Sequence, residues 1–497
     1  MAQETTTLSS SAQQTRSSWP ALWALVIGFF MILVDATIVA VGVPAIMRGL
    51  DADVNSVIWV TSSYLLAYAV PLLITGRLGD RVGPKWIYLI GLTVFTLSSL
   101  WCGFAGTITL LIVARVFQGL GASMMTPQTM TVITRTFPPE QRGRAMALWG
   151  AVAGIAGIVG PIAGGLLIDG PGWEWIFFIN VPVGAVAFVL ALRLVPRLET
   201  HSHRFDILGV LLSAGGMFAI VFGIQQGESY NWDTWIWGLI GSGVALMIAF
   251  VVWQRLNRSE PLVPLALFRD RNFSLSNGAI LTVGFMILAM QLPFMLYAQT
   301  VRGFTPTQAA LLMLPNAIVG IILAPIVGRL VDRYHPRYLA GFGLLVDAVA
   351  LVWASLVLRP DTPVWQLLLP LTLLGVGTAF TFGPIGVSAN RNLPLHQAGA
   401  GSGVFNATRQ VGSVLGSAAI AALMESRLAA ELPAMPGGAS PSESEFGTLP
   451  PQLQDGFATA MSQSLLLPAA VIFLGFIVTI FLVAPKHLVA GRAGGSH

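Results

Sequence analysis

Fourteen stretches of this 497-residue sequence are apolar over about the 20 residues that a helix needs to cross a hydrocarbon core. They run over residues 20–44, 56–75, 86–105, 109–131, 145–168, 174–195, 206–226, 235–255, 273–300, 307–328, 338–358, 365–388, 399–424 and 464–485. Lipid offers no partner to a backbone amide or carbonyl, so a spanning segment must be a helix or a strand of a closed barrel. Their length selects helix, and the expected fold class is an all-α polytopic membrane protein with fourteen transmembrane helices. Composition agrees: 55% of residues are hydrophobic and 10% charged, against about 25% charged in an ordinary soluble domain. Residues 1–18 are polar, and the run from Trp19 to Pro44 is too long for a removable signal, so it reads as a retained first helix. Cys102, the single cysteine, lies inside an apolar run and reads as a packing residue.

The net charge of +4 does not point to nucleic acid, because the basic residues are scattered through short loops rather than gathered on one face. They sort instead by side. With the N-terminus placed in the cytoplasm, 20 of the 26 Lys and Arg residues fall on the inner side. Arg48, Arg302, Arg359 and Arg427 fall outside, and Arg115 and Arg409 lie within runs. That asymmetry predicts a multi-pass protein of a bacterial-type cytoplasmic (inner) membrane with both termini cytoplasmic. Trp86, Trp173, Trp175, Trp232, Trp235 and Trp365 stand at predicted helix ends, where interfacial anchoring accounts for them.

A charged decapeptide, GRLGDRVGPK at Gly76–Lys85, returns as GRLVDRYHPR at Gly328–Arg337 with a constant shift of 252 residues. The same shift carries Gly160 and Gly164 onto Gly412 and Gly416. Eight runs separate the two copies, an even number, so both face the same side and the halves are parallel pseudo-repeats. The expected organisation is a cytoplasmic tail (1–19), a six-helix half (20–195), two inserted helices with linkers (196–272), a second six-helix half (273–485) and a cytoplasmic tail (486–497). Residues 425–463, rich in Pro, Gly and Ser around Pro433–Pro451, are expected to form a flexible outer loop within the second half.

Several local motifs together resemble the major facilitator superfamily, in its fourteen-helix branch of drug:proton antiporters. Gly76-x-Leu78-x-Asp80-Arg81-x-Gly83-x-Lys85 is similar to the family's motif between the second and third helices, with Pro84 where a basic residue is usual. Arg115, Gln118, Gly119 and Gly121 resemble the fourth-helix motif. Gly154, Gly157, Gly160, Pro161, Gly164 and Gly165 resemble the fifth-helix motif of antiporters. Asp35, Thr37 and Pro44 fit the first-helix motif, with Ala40 in place of its usual Asn. Asn406-x-x-Arg409-Gln410-x-Gly412 is similar to the thirteenth-helix pattern.

The resemblance implies a proton-coupled antiporter that exports lipophilic, cationic drugs by alternating access, as in multidrug efflux. Its coupling ion is the proton, with no other cofactor, and its partners are lipophilic small molecules and membrane lipids. Ionisable groups within spans are functional candidates. At 1.5 Å per residue Asp35 and Arg115 lie at similar depths, roughly 13 and 9 Å from the outer side. On helices that the resemblance places beside the central cavity, Asp35 is the expected proton carrier tuned by Arg115, and a permanent ion pair that fixes helix packing is the other reading. A carboxylate suits this work because burial and a nearby Arg move its proton affinity in opposite directions. The six histidines all fall in loops or the tail. Asp347 and Arg409 are the other buried charges; Asp347 is a second proton site or a structural group, and Arg409 serves packing, gating or contact with an anionic group. Gly76, Asp80, Arg81, Gly83 and Lys85 are the expected inner latch, Asp80 meeting the start of helix thirteen near Gly399–Gly403; Gly328, Asp332 and Arg333 belong to the second copy. The helix-five glycines are expected to form a seam that rocks. Met124, Met286, Met290, Gln291, Phe294, Tyr297, Phe380 and Arg409 are substrate-cavity candidates, since Met and aromatic groups adapt to large apolar molecules. Two other readings stand beside export of drugs: an exporter of lipid or a dedicated metabolite, and a membrane sensor or scaffold that does not transport. No nucleotide loop, metal-ligand cluster or nucleophile constellation suggests an enzyme.

Overall fold

Prolines and capping residues divide the apolar runs into helices whose bounds follow local chemistry. The computed structural model describes residues 2–137, 139–198, 200, 206–227, 229–257, 261–391, 393, 398–432 and 451–483. Its helices are α1 (Ala2–Leu50), α2 (Val54–Ala69), α3 (Leu72–Val82), α4 (Pro84–Gly103), α5 (Ile108–Thr136), α6 (Pro139–Asp169), α7 (Trp175–Phe178), α8 (Asn180–Leu194) and α9 (Ile207–Gln226). They continue with α10 (Thr234–Leu256), α11 (Arg271–Leu296), α12 (Pro306–Leu312), α13 (Leu314–Arg333), α14 (Pro336–Val357), α15 (Val364–Asn390), α16 (Ala398–Glu431), α17 (Pro451–Ser464) and α18 (Leu466–Ile480). Among the described residues twelve helical spans are long and apolar enough to cross a membrane. Of the two other expected runs, 56–75 is divided between α2 and α3, and 145–168 lies within the 31-residue α6.

The second and sixth helices of each half are interrupted, as α2/α3, α7/α8, α12/α13 and α17/α18, the last of these spans starting at Leu453 rather than at 464. Pro71, Pro182, Pro315 and Pro468 stand at or within the first turn of the second segment, where a missing N–H leaves no bond unmade. Side-chain caps open other helices: Asp53 accepts from the Ser56 amide at 2.7 Å, Asp270 from the Phe273 amide at 2.7 Å, and Thr305 and Gln308 form a reciprocal capping box.

The pseudo-repeat appears as matching helix pairs. In the first half α4 packs on α5, α2 on α5, α1 on α6, and α8 on both α1 and α4. The second half repeats this with α14 on α15, α13 on α15, α11 on α16, and α18 on both α11 and α14. The halves meet reciprocally, α6 against α12 and α2 against α16, with α1 touching α11 at the axis. The inserted helices α9 and α10 pack on each other, and α9 rests on α16 and α2.

Three expectations about the ends of helices are corrected. Much of 425–463 is helical rather than loop: α16 runs to Glu431 and α17 starts at Pro451, while 433–450 lie outside the described residues. Leu453, Phe457 and Met461, spaced every four residues, bury the inner face of α17. The decapeptide is helical except at Gly83, where φ of +104° lets α3 turn into α4 through one residue. Trp173 is no interfacial anchor: it is buried, with its indole against Gly49 at the end of α1.

The base of the inserted pair is held by Asp206, which accepts from Trp253 Nε1 and Gln254 Nε2, each at 2.6 Å, and from the Gly209 amide at 2.9 Å. Burial works against its charge, but these donors outweigh it and hold the carboxyl below its usual range. Because the folded value is depressed, the stabilisation is present above the unfolded pKa of about 3.9 and is lost as pH falls through the folded value. Asp206→Ala is expected to cost about 1.5–3 kcal/mol at neutral pH, read as a lower Tm of the purified protein, with the difference shrinking in acid.

Candidate functional site

The interior of the first half is built around one ion pair. Asp35 projects from α1 and Arg115 from α5; both are fully buried, and Arg115 Nη1 donates to Asp35 Oδ2. Gln118, one turn beyond Arg115, donates from Nε2 to Asp35 Oδ1 at 2.8 Å and accepts from Arg115 Nη1 at 2.7 Å. Asn180, at the start of α8, donates to Asp35 Oδ1 at 3.1 Å and to Ser99 Oγ at 3.0 Å, while Ser99 donates to the Phe177 carbonyl at 2.9 Å. Arg115 Nε donates to the Val60 carbonyl of α2 at 3.1 Å, and the guanidinium lies 4.1 Å from the centroid of the Tyr64 ring. Nη2 has no hydrogen-bond partner, and the face of the Tyr64 ring covers the guanidinium. Cys102 Sγ stands 3.6 Å from Gln118 Oε1.

Desolvating two charges is costly unless the remaining donors and acceptors are satisfied. Here three side chains donate to one carboxylate, drawn from α5 and the α7/α8 break and backed by Ser99 of α4. Asp35 and Arg115 therefore meet as their depths suggested, but they are sealed inside the first half rather than open to the gap between halves. Gln118 was visible as part of a motif. Asn180, Tyr64 and Ser99 were missed; the signal for Asn180 was an amide side chain within an apolar stretch, Ile179-Asn180-Val181.

The second half has no matching pair among the described residues. Asp347, fully buried on α14, accepts from Thr381 Oγ1 at 3.2 Å, its Oδ1 has no hydrogen-bond partner, and it lies against Gly377 of α15. Arg409 on α16 makes no ion pair with it; it is half-buried and in electrostatic range of Tyr68 on α2.

The helix-five glycines divide between two partners. A Cβ on Gly160 would collide with Thr37 Oγ1, and one on Gly164 would meet Ile38 at 2.7 Å, so both pack α6 on α1 within the first half. Pro161 is buried beside them, Gly157 is exposed, and Gly154 lies outside the described side chains. Gly165 alone of the described set touches the second half, its Cβ position 2.5 Å from Thr307 Cα. The rocking seam expected of the series thus narrows to one residue, because a helix presents glycines five residues apart to different neighbours.

Gly76 packs on Pro127, Arg81 is exposed, and Lys85 Nζ donates to the Leu192 carbonyl at 2.7 Å. The side chains of Asp80, Asp332 and Arg333 lie outside the described residues, and Gly328 faces open space. Among the cavity candidates, Met286, Phe294 and Tyr297 are core residues, Tyr297 Oη donating to the Arg359 carbonyl at 2.6 Å. Met124 lies against Gly91 and Phe380 meets Phe342 edge to face, each within its own half. Met290 packs against the core, and Gln291 lines a small cavity between halves with Ala36, Ala40, Thr61, Leu288 and Ser417.

At the end of the bundle opposite the decapeptides, hydrogen bonds cross between halves. Gln291 Nε2 reaches the Thr37 carbonyl at 3.3 Å and Gln299 Nε2 the Val41 carbonyl at 3.0 Å. The Thr307 amide donates to Asp169 at 3.1 Å, and Ser62 and Ser417 share a bond at 3.0 Å. A π-helical turn at Tyr297–Val301 carries Gln299. Gly165→Val is expected to push α6 from α12 and open this seam. A cysteine placed at the buried Thr300 would then react faster with an impermeant maleimide, against the silent background of buried Cys102; an unchanged rate would remove Gly165 from the seam.

Matched six-helix halves, a hydrogen-bonded seam and a charge pair within spanning helices define a multi-pass membrane protein of the two-bundle transporter class. The model of the Major Facilitator Superfamily matches residues 25–417, and the chain belongs to that superfamily. An uncharacterized MFS-type transporter of Mycobacterium tuberculosis is 54% identical over 474 residues, covering 94% of this chain and 81% of the relative. The tetracenomycin C resistance and export protein of Streptomyces glaucescens is 34% identical over 417 residues, covering 82% and 76%. The solved structure of a bacterial homologue of the human lysosomal transporter Spinster, inward-facing and unoccupied, aligns with a TM-score of 0.63 at 18% identity, covering 94% and 97%.

Proposed function

We propose that the protein is a proton-coupled exporter of lipophilic small molecules, working by alternating access, with the decapeptide end in the cytoplasm. The observation that carries this is the sealed Asp35–Arg115 pair and its shell of hydrogen bonds. Protonation of Asp35 removes the charge that Arg115, Gln118 and Asn180 hold. Arg115 is also bonded to the Val60 carbonyl, and Ser62, two residues along α2, bonds Ser417 across the seam. A proton taken up in the first half therefore acts on the helix that fastens the second. The proton enters when Asp35 is open to the outer side and leaves to the cytoplasm after the halves rock.

Export is supported by the likeness to the tetracenomycin C resistance and export protein. In this structure the carboxylate expected to attract cations is buried and held by three donors, so the substrates proposed are lipophilic small molecules without a charge preference. For the inner latch, α3 packs against α16, which supports Asp80 meeting the start of α16. Faster labelling of cysteines at the decapeptide end in Asp80→Asn would confirm that latch, and unchanged labelling with full transport would discard it.

One proton moving down one pH unit yields about 1.4 kcal/mol, and down 100 mV about 2.3 kcal/mol. The test is reconstitution in liposomes with pH and voltage gradients imposed separately, against cationic, neutral and lipid substrates. Uphill accumulation that follows the pH gradient is the expected result. Binding without movement under either gradient would favour a sensor or scaffold.

A further inference from the structure

We infer that Arg409 receives the anionic group of an otherwise apolar molecule in the gap between the halves, so that the transported class is lipophilic organic anions. The inference rests on the transport reading above and adds the substrate class.

Asn406, Arg409, Ser413, Ser417 and Ile420 recur at helical spacing along one stripe of α16. Ser417 bonds Ser62 of the first half, and Ser417 and Ile420 line the small cavity with Leu288, Gln291 and Ala36. Ser417 and Ile420 thus border the gap, and Arg409 lies toward the decapeptide end of the same stripe, at the edge between the face that meets α2 and the face that packs on α11. Its backbone is fixed: the Arg409 carbonyl packs on Gly284 of α11 where a Cβ would have no room, and Ser413 Oγ donates to the Gly284 carbonyl at 3.1 Å. The side chain is half-buried, in electrostatic range of Tyr68, and makes no hydrogen bond or ion pair among the described residues. Tyr68 Oη is occupied with Thr126 Oγ1 at 2.8 Å.

An ionisable side chain within a span faces the bundle interior or a watery cavity and marks a substrate or ion route. The two acidic side chains deep within described spans are both elsewhere: Asp35 is held by Arg115, Gln118 and Asn180, and Asp347 is buried against α15. The charge offered to the gap is thus positive. A guanidinium presents a planar fork of donors that fits a carboxylate or phenolate in two parallel bonds, at reduced dielectric. Leu288, one turn along α11 from the Gly284 that the Arg409 backbone touches, lines the small cavity further along the same gap with Leu292 and Ile420, an apolar path for the rest of such a molecule.

Fluorescein and rhodamine 123 are xanthene dyes of like shape and opposite charge. Binding to the purified protein in lipid nanodiscs, read by anisotropy, and uptake into liposomes under a pH gradient would be measured side by side. Wild type is expected to bind fluorescein more tightly than rhodamine 123. Arg409→Gln is expected to weaken fluorescein binding about tenfold or more while changing rhodamine 123 by less than about twofold, and Arg409→Lys to retain an intermediate preference. A wild-type preference for rhodamine 123, or equal effects of Arg409→Gln on both dyes, would overturn the assignment. Arg409-dependent binding of fluorescein with no uptake of either dye would overturn transport and leave the site; uptake indifferent to Arg409 would do the reverse.

Discussion

Asp35→Asn is expected to abolish pH-driven accumulation. With the membrane potential clamped at zero, one proton exchanged per substrate supports about a tenfold gradient for each pH unit. Under an imposed difference of two units, accumulation should fall from about a hundredfold toward none. The amide of that variant retains an oxygen that accepts from Gln118 or Asn180, yet it takes no proton, so downhill exchange should survive while uphill movement does not. Asp35→Glu keeps the carboxylate and is the control for altered packing; it should retain pH-driven accumulation at reduced rate. Retained accumulation in Asp35→Asn would move the proton to another group, and Asp347 would be the next carboxylate to replace.

Removing the other partner is expected to have the largest effect on stability. Arg115→Met leaves the Asp35 carboxylate buried beside Gln118 and Asn180 alone and removes the bond to the Val60 carbonyl and the contact with Tyr64. Breaking a buried pair from one side costs about 3–5 kcal/mol. Cys102 offers the readout: it is buried and is the single cysteine, so a fluorogenic maleimide reports unfolding directly. The double variant Asp35→Asn/Arg115→Met should be more stable than Arg115→Met, because no lone charge remains. Strict additivity of the two substitutions would show that the pair is not coupled.

Much of this protein is legible residue by residue. The apolar runs, the shift of 252 between repeats and the positions of Asp35 and Arg115 all follow from local pattern, since helix length and depth scale directly with residue count. The helix-five glycines illustrate where that legibility stops. Spacing marks them as a close-packing surface, but α1 receives Gly160 and Gly164 while α12 receives Gly165. Asp347 and Arg409 make the same point in reverse: both are charges within spans of one half, and packing keeps them apart. Met286, Phe294 and Tyr297 have the composition of an adaptable binding surface, and packing turned them into core.

The amino-acid sequence by itself determined a lipid-spanning all-helical chain, its two parallel halves, its inserted pair and the charges that must lie within helices. Those properties follow from the cost of placing backbone and charge in hydrocarbon, which acts on each segment alone. Only the tertiary structure decided that Asn180, Ser99 and Tyr64 complete the Asp35 site, that the site is sealed within one half, and that Asp347 and Arg409 do not pair. Those depend on which helix faces which, and that is settled by close packing among residues tens or hundreds of positions apart.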